Sequence, residues 1–507
     1  MSVRVRYAPS PTGLQHIGGI RTALFNYFYA RSQGGSFILR IEDTDRERTT
    51  DEAVQDLYDM LSWLGITWDE GPEKGGEYGP YIQSERSGLY RSYAEKLIAD
   101  GKAYRCYCTT ERLNALREEQ ERTKSKVKGY DRRCRDLGEA ERSELEKSGK
   151  SSVVRLKVPL DGKTSFDDVL MGKISRKNKD VNPDPVLMKS DGFPTYHLAN
   201  VIDDHLMGIT HIMRAQEWIP SGPLHVLLYE AFGWEPPKYC HLPMVMGKDG
   251  QKLSKRNGSR AVRDFMNDGY LPEAVMNYIS LLGWAYDDKT EFFTRKELEK
   301  VFSLEKINKA PGVFDYKKLD WFNGMYIRQK SAAELRELII PFLVRDGVIL
   351  NPPTDEQEKI IGNMIPLIHE RMKKLSDVSE MTRFLFQDIE TPNPEDVIPK
   401  KADAAKALEI LHLSKSLLSG LWEQGDSENG GENDGENDGD MEQLFRDTAA
   451  KTGVGLGALL MPIRAAVTGS RISPPLFESV KLLGKEKTFE RINRTIQKLE
   501  QELEQEV

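Results

Sequence analysis

The sequence predicts a doubly wound α/β domain split by an α+β insertion and followed by an all-α carboxyl-terminal domain. Three observations predict it. Strand and helix signals alternate β-α-β between Val3 and Ile41, which implies a parallel pair with a crossover helix, the opening of a Rossmann-like domain. From Tyr104 to about Pro185 cysteines and dense charge replace that texture, and it returns from Val186 to Val245. Beyond Arg328 the apolar spacing is almost wholly helical.

The first strand is read over Val3–Tyr7, where β-prone side chains alternate, and the APSPTG segment ends it. Gly18-Gly19 opens a helix over Ile20–Arg31, with Leu24, Phe25, Phe28 and Tyr29 near helical spacing. Gly34-Gly35 turns the chain into a second apolar strand, Ser36–Ile41. Amphipathic helices are expected over Glu52–Leu64 and Arg86–Asp100, and a short β-rich stretch over Ser152–Val158. Further helices are expected over Ser331–Asp346, over Asp355–Leu375 and from Phe489 onward. These readings divide the chain into a first α/β half (1–104), an insertion (105–190), a second α/β half (191–245), a connecting helical region (246–329) and a helical bundle (330–507). Within the last, Gly425–Asp440 holds seven acidic residues, no basic ones and two tandem GEND tetrads. Low hydrophobicity with like charge does not offset the entropy of ordering, so 425–440 is expected to be a disordered surface loop.

With 507 residues, 39% hydrophobic and 30% charged, the chain has the apolar material for several packed domains. No apolar run approaches the roughly 20 residues that cross a bilayer. The opening MSVRVRYAPSPTG runs into a strand rather than a signal pattern, so the expected compartment is the cytoplasm, with no membrane partner. A net charge of −8 leaves a nucleic-acid partner open, because binding depends on local basic faces. Four cysteines in so long a chain do not make a disulfide scaffold. Three of them, Cys106, Cys108 and Cys134, lie close together, and thiolates are ligands that Zn²⁺ favours.

Two short segments carry most of the chemical signal. Pro9-Ser10-Pro11-Thr12-Gly13-Leu14-Gln15-His16-Ile17-Gly18-Gly19 stands between the first strand and first helix. There the helix dipole and free backbone N–H groups face the crevice where nucleotides bind, glycines permit close approach, and an imidazole can donate to phosphate. Alone, His16 also reads as a turn histidine that caps a helix. The second segment is Lys252-Leu253-Ser254-Lys255-Arg256, preceded by Gly247-Lys248-Asp249-Gly250. Two lysines spaced by three on a glycine-flanked loop suit a clamp on a polyphosphate, and equally a solvated basic loop.

Taken together, HIGG and KLSKR resemble the HIGH and KMSKS signatures of class I aminoacyl-tRNA synthetases. APSPTG, LRIEDTD (Leu39–Asp45), GPYIQSER (Gly79–Arg86), DGFPTYHLANVIDDHLMGITHIMRAQEW (Asp191–Trp218), WFNGMYIR (Trp321–Arg328) and PIRAAVTGS (Pro462–Ser470) narrow the resemblance to the glutamyl-tRNA synthetases. The match departs from HIGH at its fourth position, Gly19.

The resemblance implies an enzyme that joins glutamate to ATP as glutamyl-adenylate and passes the glutamyl group to the terminal adenosine of tRNA(Glu). Its implied partners are tRNA(Glu), L-glutamate and ATP with Mg²⁺, and the chain is expected to act as a monomer. Catalytic roles fall on His16, Lys252 and Lys255. Glutamate is expected to meet Arg6, Ala8, Ser10, Glu42, Tyr196 and Arg214: Arg6 on the side-chain carboxylate, Glu42 on the ammonium, and Arg214 as a second positive charge. Arg6 also reads as a structural ion pair, and Tyr196 as core packing. ATP is expected at Pro9, His16, Gly18, Gly19, Glu217, Val245, Lys252, Leu253, Ser254, Lys255 and Arg256. No firm role falls on Asp43, Asp45, Asp203 or Asp204. The insertion would hold the acceptor end, and Arg383 of EMTRFLF would help read the last anticodon base. Some relatives carry a structural Zn²⁺ here, which points to Cys106, Cys108 and Cys134 with Tyr130 as fourth ligand and Asp136 as its alternative. Three other identities compete. A paralogue that modifies a tRNA base lacks the helical domain, a glutaminyl enzyme carries a β-barrel there, and a silent tRNA binder does not need intact His16, Lys252 and Lys255.

Overall fold

The computed structural model describes residues 2–45, 48–125, 128–253, 260–400, 402–428 and 438–505. Two compact units emerge, one made of Met1–Asn267 with Pro272–Leu319, the other of Asp268–Leu271 with Asp320–Val507.

In the first unit, β1 (Arg4–Tyr7) is followed by α1 (Ile17–Ser32) and then β2 (Ser36–Leu39), which pairs with β1 in parallel from Arg4 opposite Ser36 to Tyr7 opposite Leu39. The helix starts three residues earlier than its glycines suggested, because the His16 side chain caps it and draws Gly18 and Gly19 into its first turn. Ile17, Ile20, Leu24, Phe25 and Phe28 are fully buried along it. Burial of each such side chain contributes about 1.5–3 kcal/mol, which fixes the crossover on the sheet and hence the turn before it. Helices α2 (Asp51–Trp63), capped by Thr50, and α3 (Ser87–Ala99) follow.

The segment expected as a separate insertion is woven back into the main sheet. It opens with β3 (Ala103–Cys106), α4 (Thr110–Arg122) and α5 (Glu139–Lys147), then β4 (Val153–Leu156), and β3 and β4 join β7 (Val186–Met188) in a three-stranded antiparallel sheet. Between them, β5 (Lys163–Asp168) and β6 (Gly172–Lys177) form a hairpin. After α6 (Tyr196–Leu206), strands β8 (His211–Ala215) and β9 (Lys238–Leu242) pair in parallel around α7 (Gly222–Phe232). Strand β5 pairs in parallel with β9, Asp168 opposite Tyr239, giving the order β6-β5-β9-β8. Alternation explains it: Thr164, Phe166 and Asp168 are buried while Lys163 and Asp167 are exposed. Phe166 packs on Tyr239 with ring centroids 4.9 Å apart, and a Cβ on Gly222 would lie 2.5 Å from the Phe166 ring, so α7 can approach only with glycine there. Arg4 and Thr210 exchange two 2.9 Å bonds, which brings β1 beside the start of β8. The unit ends with β10 (Val245–Met246), α8 (Val262–Asn267), α9 (Pro272–Ser280), α10 (Arg295–Val301) and β11 (Gly312–Val313), the last parallel to β10.

The second unit is helical. The cut falls inside α11 (Tyr316–Ile327), after which α12 (Ala332–Arg345) and α13 (Asp355–Ile368) each begin with a complete capping box, Ser331 with Glu334 and Thr354 with Gln357. The helix expected to run to Leu375 stops at Ile368, because Asp377 takes the backbone N–H groups of Lys373 and Lys374 at 2.9 Å and starts α14 (Asp377–Phe386). Then come α15 (Pro394–Val397), α16 (Ala404–Glu428), α17 (Asp438–Thr452), α18 (Leu456–Thr468), α19 (Leu476–Leu483) and α20 (Lys485–Gln505). Buried Arg491 fastens α20 by donating to the carbonyls of Val467, Phe384 and Gln387 at 2.7–3.0 Å. Both ends of the expected acidic loop are helical. Residues 425–428 and 438–440 belong to α16 and α17, since lengthening a helix already packed costs little, and 429–437 lie outside the described residues. Among the described residues no helix is long and apolar enough to cross a membrane.

Candidate active site

The chain beyond the second signature segment returns to the first. His16 forms an isolated antiparallel bridge with Ala261, and the Val262 N–H donates to the Gln15 carbonyl at 2.9 Å. The residues that follow KLSKR therefore lie along the HIGG turn, although they are more than 240 positions apart. His16 is exposed at the mouth of α1, where its Nδ1 accepts from the Gly19 N–H at 3.1 Å. The capping reading of His16 thus holds at one ring nitrogen. The departure from HIGH has a steric account, because a Cβ on Gly19 would lie 3.0 Å from the hydroxyl of Tyr7. That hydroxyl is held by a 2.9 Å bond to Gln15 Oε1. Arg21, one turn into α1, donates to the Pro243 carbonyl at 2.5 Å and ties the turn to the chain just before Val245.

Val245 is buried on β10, and the Leu253 N–H donates to its carbonyl at 3.0 Å. Lys252 is ion-paired with Glu217, both about half exposed, so two residues expected to meet ATP meet each other. Ser254, Lys255 and Arg256 lie outside the described residues. Pro9 and Gly18 are half-buried on the same loop and turn.

Behind that loop lies a buried ionic cluster. Arg6 Nε donates to Asp204 Oδ1 at 3.0 Å and Nη2 to Oδ2 at 3.2 Å. Arg40 spans Asp204 and Glu42, at 2.8 Å each, and Arg86 reaches Asp203 at 2.8 Å. Three arginines face three carboxylates, all six nearly sealed from solvent, so the cluster is close to neutral. Asp203 and Asp204 are therefore committed to arginines. Asp43 accepts from the Ser84 N–H and Asp45 pairs with Arg48. Bonds to Glu42 fall on Oε1, from Arg40 and from Asn200 at 3.2 Å. Burial raises the Glu42 carboxyl above its ordinary value, against the pull of Arg40 and Arg6. Ala8 is half-buried and Ser10 exposed beside this cluster in sequence.

Arg214, at the end of β8, is set differently. It donates from Nη1 to the Tyr196 hydroxyl and to His225 Nδ1, both at 3.3 Å, and from Nε to His241 Nε2 at 3.1 Å. Burial, and then the Arg214 charge, push His225 well below its ordinary value. Arg214 thus stands among neutral imidazoles rather than against a carboxylate. Its Nη2 is buried with no hydrogen-bond partner. Tyr196 starts α6 and packs on Trp218, ring centroids 4.5 Å apart, so its packing and binding readings coexist.

The three expected cysteines converge, with their sulfurs all within 4.8 Å of one another. The Tyr130 hydroxyl lies 3.2 Å from Cys106 Sγ and 3.6 Å from Cys108 Sγ, and Cys108 and Cys134 sulfurs are 3.6 Å apart. Asp136 is not among them. Its side chain is 78% exposed and pairs with Lys157 at 3.3 Å. Arg383 belongs to the second unit, exposed on α14, where it holds Gln387 at 2.9 Å and the Asp346 carbonyl at 3.2 Å.

Sequence reasoning missed Asn200, whose buried Oδ1 has no partner, and the pair His225 and His241 around Arg214. Asn200 was findable, since it follows Tyr196 by four on α6 and so shares its face. His241 was not, because it reaches Arg214 only through the pairing of β8 with β9.

The family described as tRNA synthetases class I (E and Q), catalytic domain, matches residues 2–321, and an anticodon binding domain family matches residues 334–496. The glutamate–tRNA ligase of Borreliella afzelii is 56% identical over 491 residues, covering 97% of this chain and 98% of that protein. That of Treponema denticola is 50% identical, covering 98% and 99%. Crystal structures of a glutamate-tRNA synthetase from Elizabethkingia anophelis, and of a glutamate tRNA ligase from Elizabethkingia meningosepticum in complex with its amino acid, match at 34% identity with TM-scores of 0.82 and 0.83. Each match covers 98% of this chain and 100% of that one. With the Rossmann-like sheet and the return of Ala261 and Val262 to the HIGG turn, these matches place the fold and its signatures in one family: the chain belongs to the class I (E and Q) tRNA synthetases.

Proposed function

We propose that this chain is a glutamate–tRNA ligase, which activates L-glutamate with ATP and transfers it to the terminal adenosine of tRNA(Glu). The observation that carries the reading is the charge pattern of the pocket. A carboxylate, Glu42, suits the substrate ammonium. An arginine among neutral imidazoles, Arg214, keeps a buried donor for a carboxylate. Arg6 meets the second carboxylate from its remaining nitrogen, Nη1, while Asp204 holds the other two.

Activation is attack of the glutamate α-carboxylate on the α-phosphate of ATP, with pyrophosphate leaving. His16 through its Nε2–H and Gly18 through its backbone N–H present donors at the start of α1, Gly19 allows close approach, and Lys252 and Lys255 balance charge as it moves to the leaving group. Pro9, Glu217, Val245, Leu253, Ser254 and Arg256 complete the nucleotide site, and Ala8, Ser10 and Tyr196 the amino-acid site. Mg²⁺ carried by the nucleotide would supply positive charge to the phosphates, and Asp203 and Asp204, paired with arginines, are not offered to it. Protein groups position and neutralise, and no covalent enzyme intermediate is needed.

The insertion holds the acceptor end, and the helical unit reads the anticodon with Arg383. The residues at the cysteine cluster fit zinc. Tetrahedral thiolates at about 2.3 Å from Zn²⁺ stand about 3.8 Å apart, close to the 3.6 Å between Cys108 and Cys134. Cys106, Cys108, Cys134 and Tyr130 would hold it as a structural ion that pins the start of the insertion. The reading makes the protein a cytoplasmic monomer. Its test is ATP–pyrophosphate exchange with each amino acid in turn, in which only glutamate is to support exchange.

A further inference from the structure

Arg214 is anchored from behind by a chain of polar groups that ends in the insertion. Strand β5 places Asp168 fully buried at its end, next to β9. Asp168 Oδ2 lies 2.7 Å from His241 Nδ1 and accepts the His241 backbone N–H at 3.0 Å. Its Oδ1 accepts the Leu170 and Met171 N–H groups at 3.0 and 2.9 Å. On the far side of the ring, His241 Nε2 takes the Arg214 Nε–H at 3.1 Å.

Chemistry fixes the proton. A guanidinium only donates, so Nε2 must accept, and the proton of a neutral imidazole must sit on Nδ1, facing the carboxylate. Burial lowers the His241 pKa, against the bond to Asp168, which keeps the ring neutral. Burial would raise the Asp168 carboxyl, yet the bonds from His241 and Met171 hold it below its ordinary value, and it stays ionised. Arg214 therefore has its counter-charge one imidazole away. That spacing orients the guanidinium without placing a competing carboxylate against the nitrogen left for substrate, unlike Arg6, which Asp204 grips directly.

We infer that Asp168 and His241 are positioning residues for substrate binding, holding Arg214 in the orientation that receives a carboxylate of glutamate. The inference rests on the glutamate-ligase reading. It predicts an effect through the tautomer. With Asn at 168, an amide oxygen that keeps the two N–H groups of Leu170 and Met171 turns the NH₂ to His241, where it gives up the backbone N–H bond that Oδ2 accepts as well as the bond from Nδ1. The ring must then accept at Nδ1 and carry its proton on Nε2, opposite the Arg214 Nε–H.

The experiment is aminoacylation of tRNA(Glu) by the full-length chain and by Asp168→Asn, His241→Asn and His241→Gln, with KM for glutamate and for ATP, kcat and thermal midpoints. Asp168→Asn and His241→Asn are expected to raise the glutamate KM on the order of tenfold, the scale of one misdirected buried hydrogen bond. The ATP KM is expected to stay near its unsubstituted value. His241→Gln, whose amide oxygen reaches the place of Nε2, is expected to recover most of the affinity lost in His241→Asn. If Asp168→Asn does not fold, the His241 pair decides alone. Equal losses in His241→Asn and His241→Gln, an unchanged glutamate KM, or a parallel rise in the ATP KM would each overturn the inference. Failure of the unsubstituted chain to charge tRNA with glutamate would instead sink the functional reading on which it rests.

Discussion

Arg6 grips Asp204 with two of its three guanidinium nitrogens, Nε at 3.0 Å from Oδ1 and Nη2 at 3.2 Å from Oδ2. Both side chains are buried, and Asp204 is shared with Arg40. The pair fixes the plane of the Arg6 guanidinium, so a substrate carboxylate can be met only from its remaining nitrogen. Under the proposed reading, an amide in that place would leave the buried guanidinium's charge uncompensated.

Arg6→Ala is therefore expected to abolish the preference for glutamate over glutamine. Truncating one partner of a buried charged pair costs about 2–5 kcal/mol, part of it from leaving Asp204 with Arg40 alone. The measurement is the ratio of kcat/KM for the two amino acids. Retention of the glutamate preference would show that the ion pair is purely structural.

Glu42 sets a pH dependence. Its carboxyl is raised above its ordinary value by burial, against Arg40 and Arg6. An ammonium bound to Glu42 favours the ionised form, so binding lowers this pKa and releases a proton. Affinity for glutamate accordingly rises with pH through the window between the bound and free values, and falls as pH drops through the raised free value. KM for glutamate should climb on acidification earlier than an ordinary carboxyl would dictate. Glu42→Gln should flatten that climb while raising KM throughout. A climb unchanged by Glu42→Gln would assign it to another group.

Lys255→Ala should spare folding and tRNA binding and cut adenylate formation by about 10²–10³-fold, the scale for removing one donor to transition-state charge. Near-normal exchange in that variant would show that the KLSKR loop is a solvated face. The contact of Ala261 and Val262 with the HIGG turn argues otherwise for the end of the loop.

Metal content separates the zinc reading from three free thiols. Protein purified without added metal should carry about one equivalent of zinc. Asp136→Ala should keep it, because that carboxylate faces Lys157, while Tyr130→Phe should weaken retention. Zinc far below one equivalent, with freely reactive cysteines, would remove the site.

The fold was legible where pattern is local. The β1–α1–β2 opening follows from alternation and helical spacing, and the capping boxes at Ser331 and Thr354 announce their helices. Boundaries moved where a side chain competed with the backbone, as His16 does before α1 and Asp377 does after α13. The weaving of β5 into the main sheet was not legible, since it depends on Phe166 meeting Tyr239 across more than 70 residues. Arg6, Glu42, Tyr196 and Arg214 were singled out from the motifs, and Tyr196 lies within electrostatic reach of the other three. Their partners were less legible. Asp204 was named without a role, Asn200 was findable from its i+4 spacing to Tyr196, and His241 leaves no spacing rule because it reaches Arg214 only through the pairing of β8 with β9.

The central claim is that the site beside the HIGG turn makes glutamyl-adenylate, with the docked acceptor end completing the nucleotide site. Glutamate-dependent ATP–pyrophosphate exchange, with and without purified tRNA(Glu), tests it most directly. The account predicts exchange with glutamate alone among the amino acids, strong when tRNA is present and weak without it. Absence of exchange in the presence of tRNA, or exchange supported better by another amino acid, would contradict it.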